Sequence, residues 1–293
     1  MKIFTRSYDK VINRIVYNFF GIKLKVNNDY CRLKKEISLL RDFLSAATNI
    51  SDLPHAKGEL REHQLQVYSL LQIIDKICRN NRLPYWLDGG SLLGAVRHKG
   101  FIPWDDDGDI CMLREDYLKL IPLLKAEFAG SDYVVREKAI KGISYQIRIM
   151  RQEQRSIGVD IFPLGRYHRA ELSDDERSKV TDNIRKARQI FARKVDRKAT
   201  IDDIRHTINQ IEERYIMQGH SPKAKDGALY AGLDFSWGAK YQIFNYNSIF
   251  PLKEIIFEDS KFYCPNDYER YLTDLYGDYM HYPEVLHIDG YRF

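Results

Sequence analysis

LPYWLDGGSLLGAVRHKGFIPWDDDGDICMLREDY, residues Leu83 to Tyr117, alternates strand-like and helix-like runs around one glycine turn and one acidic turn. Leu83 to Asp88 is a short aromatic and aliphatic run that predicts a strand. Gly89, Gly90 and Ser91 then open a helix carried by Leu92, Leu93, Ala95 and Val96. Pro103 and Trp104 lead into Asp105, Asp106, Asp107, Gly108 and Asp109. Beyond them Ile110 to Leu113 predicts a second strand, and Glu115 to Phe128 a helix that Pro122 should interrupt.

The acidic turn carries the chemistry. Asp107 and Asp109 are two apart, so if Gly108 to Met112 begins a strand both carboxylates leave the same face. Two such charges resist ionising together unless a cation holds them. A magnesium-type ion answers that need, sharing its shell between protein carboxylates, water and substrate phosphate. Asp160 stands on the apolar run Val159, Ile161 and Phe162, where an unpartnered acid is costly to bury. If its strand lies beside that of Asp109, it completes a three-carboxylate site and makes a second metal feasible. Asp105 is a further ligand or supporting acid. Gly89, Gly90 and Ser91 place backbone amides at a helix N-terminus, where phosphate can be cradled. Arg97, His98 and Lys99 form a cationic cluster able to neutralise a diphosphate. A calcium loop is the competing reading of the acidic run, but the twelfth position counted from Asp105 is Asp116 rather than the required Glu.

Outward from this stretch, Val67, Leu70, Leu71, Ile74, Ile77 and Cys78 recur at helical spacing and predict a core-facing helix over Glu59 to Asn80. Strand-like runs follow at Tyr133 to Arg136, Tyr145 to Arg151 and Ser156 to Phe162. About residues 173 to 220 the composition turns to charged helix formers, with Val180, Ile184, Ala187, Ile190 and Phe191 on one stripe, so a helical insertion is expected. Tyr268 to Tyr276 predicts one more helix, and the YGDYM segment Tyr276 to Met280 suits either a lid over the acceptor or a packed turn. Residues 1–25 mix Lys2, Arg6, Lys10, Arg14, Lys23 and Lys25 with apolar residues at roughly helical spacing. That pattern fits a helix packed on the enzyme body or one lying on an anionic membrane face.

The bulk composition excludes several classes. With 44% hydrophobic and 30% charged residues, the chain has the makeup of a globular protein rather than a disordered or membrane-spanning one. A net charge of +5 suits anionic substrates but falls short of a dedicated nucleic-acid binder. Cys31, Cys78, Cys111 and Cys264 form no CxxC pair, so a reducing, cytoplasmic setting is expected. There is no long apolar run for a membrane span and no secretory leader pattern.

Leu83 to Tyr117 resembles the signature of the LicD and fukutin-type phosphotransferases, which have a nucleotidyltransferase fold. The helix carrying Gln64, Leu71, Ile74, Asp75 and Cys78, the VDIFPL stretch Val159 to Leu164, and FPLKEIIFE with YLTDLYGDYM are similar to that family too. The likeness covers about residues 60 to 285. It implies an α/β (α+β) nucleotidyltransferase-like mixed sheet with flanking helices and an added helical region. The chain then divides into an N-terminal extension, 1–55, and a catalytic domain, 56–293. It implies magnesium (or manganese) at the pair Asp107 and Asp109, with Asp105 as the preceding acid, and Asp160 joins them on the reading of its strand given above. Gly89, Gly90 and Ser91 become the donor-phosphate turn, and Arg97 and His98 a phosphate contact beside Lys99. The reaction implied is transfer of phosphocholine or a related phospho-alcohol from a CDP-linked donor to a cell-surface glycan of lipopolysaccharide, teichoic acid or capsule type. Asp105 or Asp160 would serve as general base. An NMP transfer from an NTP to a small acceptor is the alternative on the same fold. No nucleic-acid partner is expected, and the enzyme would be cytoplasmic, with residues 1–25 as a possible peripheral contact at the inner membrane face. Gly108 departs from the pattern, since the family usually has an apolar residue there, and a glycine should loosen the strand.

Overall fold

Helix α1, Glu59–Asn80, forms because its buried residues Val67, Leu70, Leu71, Ile74 and Cys78 fall on a single stripe. It belongs to a computed structural model that describes residues 4–9, 14–19, 22–27, 38–39, 42–140, 144–152, 157–194, 199–220, 225–233 and 240–281. These fall into two compact units, one of the described residues up to Asp52 together with Met280 and His281, the other of those from Leu53 to Tyr279.

In the first unit, β1 (Phe4–Asp9), β2 (Arg14–Phe19) and β3 (Ile22–Asn27) form an antiparallel meander. This corrects the helix expected over residues 1–25. IKLKVN alternates with a period of two, and RIVYNF is rich in β-branched and aromatic types, which favour strands.

The second unit carries the large sheet. After α1 come β4 (Tyr85–Leu87), α2 (Gly89–His98), β5 (Gly108–Leu113) and α3 (Arg114–Glu127). The hairpin β6 (Tyr133–Ile140) and β7 (Ser144–Arg151) follows, and then β8 (Gly158–Arg166). α4 (Asp174–Lys194) and α5 (Ile201–Glu212) make the helical insertion, and a π-helical turn at Glu213–Met217 ends it. β9 (Leu229–Ala231), β10 (Ile243–Phe244) and the short α6 (Tyr246–Ile249) come next. The hairpin β11 (Lys253–Phe257) and β12 (Ser260–Cys264) leads to α7 (Tyr268–Tyr276).

The strand order is β10-β9-β8-β5-β4, with β7 on β8 and β6 on β7. β5 and β8 are parallel and the other pairs antiparallel, so the sheet is mixed and the fold class is α/β. β8 is the hub. One edge lies along β5, while its other edge is shared between β7, from Gly158 to Ile161, and β9, from Leu164 to Arg166. α1 and α3 pack on β5 and β8, and α4, α5 and the π-helical turn build a second hydrophobic cluster with Tyr230 of β9 and Ile243 of β10.

Pro122 does not interrupt α3, which runs unbroken through it. The proline removes the hydrogen bond to the Leu118 carbonyl, but both residues lie on the exposed side of the helix, where water can take its place. Gly108 does not loosen β5 either. A Cβ there would stand 3.1 Å from Val67, 3.2 Å from Val159 and 3.3 Å from Leu71, so these neighbours have closed over the missing side chain. Tyr85 and Trp86 are core residues, and Cys78, Cys111 and Cys264 are buried free thiols. Among the described residues no helix is long and apolar enough to cross a membrane.

Candidate active site

β5 and β8 run side by side in a register that sets Asp109 directly opposite Asp160. Asp107 precedes β5 by one residue, and one oxygen from each of Asp107, Asp109 and Asp160 lies within 4.8 Å of the others. Asp105, Asp106 and Asp107 make an overlapping second group by the same measure. The structure therefore gathers the acids of the DDDGD run and the acid from VDIFPL at one end of the parallel pair.

Neighbouring elements hold the acidic loop from below. Gln64 of α1, fully buried, donates from Nε2 to the carbonyls of Ile102 (3.1 Å) and Asp105 (2.9 Å), and His63 Nε2 lies 2.7 Å from the carbonyl of Asp106. Arg61 grips Glu258 through both nitrogens, at 2.9 and 2.5 Å, while Glu258 accepts from the Phe101 amide at 3.3 Å.

The glycine turn lies against the same acids. Gly89 takes a φ of +49°, which favours glycine. A Cβ on Gly89 would come within 2.7 Å of Asp109 Oδ2, and one on Gly90 within 2.4 Å of Asp105 Oδ2. The Gly90 amide donates to Asp109 Oδ2 (3.3 Å), and the Asp109 amide donates to Ser91 Oγ (2.9 Å). Glycine is required here because the carboxylates occupy the space a side chain would need.

Of the expected cationic cluster, Arg97 alone brings charge to this group. It is buried, donates from Nη1 to the Tyr279 carbonyl at 2.9 Å, and its charge reaches Asp105. His98 is buried, and among the described residues neither ring nitrogen has a hydrogen-bond partner. Burial, then Arg97 and His55, pushes it down to about 4, so it is neutral near pH 7. Lys99 is exposed at the C-cap of α2 in a left-handed conformation with a φ of 58°.

The electrostatics express crowding. Burial, reinforced by Asp107, Asp160, Asp105 and Asp88, lifts Asp109 well above the usual carboxylate range. Burial, then Asp107 and Asp106, pushes Asp105 up to about 8. An all-oxygen donor set in which burial and neighbouring acids disfavour ionisation suits a hard divalent cation, which would relieve the repulsion. A cleft of about 1110 Å³ opens at the opposite end of β5 and β8, lined by residues such as Arg114, Arg166 and Tyr230. The carboxylates are not among its walls, so the site is located by chemistry rather than by cavity size.

Residues 82–195 match the family model described as LicD/FKTN/FKRP, nucleotidyltransferase domain, a span that contains all of these acids. This span is a LicD/fukutin-type domain. The lipopolysaccharide cholinephosphotransferase LicD of Haemophilus influenzae (strain ATCC 51907 / DSM 11121 / KW20 / Rd) is 29% identical over 256 residues, covering 78% of this chain and 93% of that protein. The ribitol 5-phosphate transferases FKRP of Mus musculus and Homo sapiens are 43% identical over 83 residues, 27% of this chain and 16% of theirs.

Three features of this LicD-family site escape a reading of the residues alone. Asp88 caps β4, fully buried, and accepts from Tyr271 Oη (2.8 Å) and Cys111 Sγ (3.0 Å). Burial pushes it up to about 6, against the pull of those donors. Its place just before the glycine turn was a usable signal. Arg148 of β7 reaches Asp160 Oδ2 at 2.8 Å and Asp107 Oδ2 at 3.6 Å. Only the register of β7 on β8 reveals that. Tyr276, at the end of α7, is half exposed, yet burial of its phenol, then Asp109, Asp88 and Asp105, holds it well above its ordinary value. It borders the acids, which places the start of the YGDYM segment at the site.

Proposed function

We propose that this protein is a metal-dependent phosphotransferase that moves phosphocholine or a related phospho-alcohol from a CDP-linked donor onto a cell-surface glycan. That it is a transferase of phosphorus-containing groups follows from its family. The names of its relatives, a lipopolysaccharide cholinephosphotransferase and ribitol 5-phosphate transferases, support an alcohol phosphate as the group moved and a glycan as acceptor. The observation that carries the reading is the convergence of Asp107, Asp109 and Asp160 within 4.8 Å at the mouth of a glycine turn.

Asp107, Asp109 and Asp160 would hold Mg2+ or Mn2+, which when bound supplies charge neutralisation for a donor diphosphate. Arg97 adds a fixed positive charge on the α2 side. An acceptor hydroxyl attacks the phosphorus of the alcohol phosphate, forming a new O–P bond as the bond to CMP breaks and CMP departs. The hydroxyl proton passes to a carboxylate. Asp105 suits that task better than Asp160, because Asp160 is ion-paired with Arg148, whereas a cation held among the acids would leave Asp105 ionised and able to take the proton.

Incubating the protein with Mg2+ and a panel containing CDP-choline, CDP-ribitol and CDP-glycerol, with cell-surface glycan as acceptor, tests this by mass spectrometry. CMP release from at least one donor is expected. Pyrophosphate release from an NTP, with every CDP-alcohol untouched, would move the assignment to NMP transfer.

A further inference from the structure

Five aspartates meet at the end of β5 and β8, and among the described residues the guanidinium ion-paired with them is that of Arg148 on β7. We propose that Arg148 is a built-in cation standing where a second divalent metal would otherwise sit, so that the site binds a single divalent ion. The inference rests on the metal-dependent reading above.

The geometry comes from sheet register. Asp160 is opposite Asp109 on its β5 side and opposite Arg148 on its β7 side. Its carboxylate thus lies between an acid that repels it and a guanidinium that holds it. Arg148 Nη1 is 2.8 Å from Asp160 Oδ2 and 3.6 Å from Asp107 Oδ2, so one nitrogen spans two of the three converging acids. Paired metal ions in phosphoryl-transfer sites sit about 3.5–4 Å apart and share carboxylates in the same bridging manner. With Oδ2 committed to Arg148, Asp160 can bring at most its other oxygen to a shared ion. A guanidinium does not deprotonate in proteins, so this charge is permanent.

Gly158 supports the assignment independently. A Cβ there would lie 3.0 Å from Arg148 Nε and 3.4 Å from its Cζ. The arginine therefore runs across β8 over a residue with no side chain, and its side chain is only 15% exposed. A guanidinium so seated is part of the site's framework rather than a surface group that swings in.

Counting bound Mn2+ on the full chain, by equilibrium dialysis with electron paramagnetic resonance, tests the idea. Wild type is expected to hold one tight ion per chain. Arg148→Gln and Arg148→Met should hold two, with the resonance broadened by coupling between neighbouring ions, and Arg148→Lys should stay at one. Two ions on wild type overturn the proposal while sparing the metal-dependent function. A folded Arg148→Gln or Arg148→Met that still binds one ion also overturns it. No ion on wild type removes the metal reading and this role for Arg148 together. The wild-type count decides even where a variant fails to fold.

Discussion

Two charge clusters in the larger unit are built on opposite rules. Around α4 and α7, Arg177, Asp274, Arg270 and Asp174 alternate in sign: Arg177 is ion-paired with buried Asp274 and lies 3.3 Å from Asp174, while Arg270 reaches Asp274 at 3.2 Å and Asp174 at 2.7 Å. Arg177 also donates to the Ile243 carbonyl at 3.1 Å and stacks over Tyr241. Every charge there has its opposite, which is how a fold ties an added helix to a sheet. At the end of β5 and β8, five aspartates converge, and among the described residues one arginine is ion-paired with two of them. Such an arrangement costs the cation-free protein stability, and its persistence points to a ligand that makes the crowding favourable.

The sharpest way to break this contrast is to remove one charge from each cluster. Asp109→Asn should lower turnover by about 10³-fold or more, because charge stabilisation of the transferring group is the main catalytic term in phosphoryl transfer. The same change should leave the cation-free melting temperature no lower than wild type, since it relieves repulsion. Asp274→Asn should do the reverse, costing about 3–5 kcal/mol by stranding Arg177, as read from chemical denaturation. If Asp109→Asn unfolds the protein, or Asp274→Asn leaves it unharmed, the two clusters do not differ as described.

Gly90→Ala probes the contact between the glycine turn and Asp105. The new Cβ would meet Asp105 Oδ2 at 2.4 Å, and a displacement of about 1 Å at a reacting centre costs about 10²-fold. Kinetics should show that loss with the fold intact by circular dichroism. Tyr276→Phe should have the smallest effect, a fall in kcat/KM of about tenfold or less, as expected for one hydroxyl beside charged groups. A loss as large as that of Asp109→Asn would make Tyr276 a full member of the centre.

Much of this contrast was legible in the residues. The order strand, glycine turn, helix, acidic turn, strand follows from local chemistry, and α1 announces itself by its period. Asp160 was recognisable as an acid on an apolar strand, but its position opposite Asp109 is a matter of register. Arg148 shows the limit most clearly: in SYQIRIMR it is one of two arginines on a strand, and only pairing of β7 with β8 turns it toward Asp160. His98 looked cationic by composition, whereas burial makes it neutral. Residues 1–25 misled because basic and apolar residues at loose spacing satisfy a period of 3.6 nearly as well as one of two.

The central claim is most directly tested by thermal melts of chelator-treated protein across pH, with and without Mg2+. Asp105, held up to about 8, and Asp88, held up to about 6, keep protons that the unfolded chain releases from about pH 4 upward. The folded form therefore binds more protons than the unfolded one, and stability falls as pH rises through that window, by a few kcal/mol in all. Saturating Mg2+ should flatten that fall and raise the melting temperature at pH 8 by roughly 5–10 °C. A cation-free protein whose stability does not decline from pH 5 to 8, and whose melting temperature Mg2+ leaves unchanged, would contradict the account.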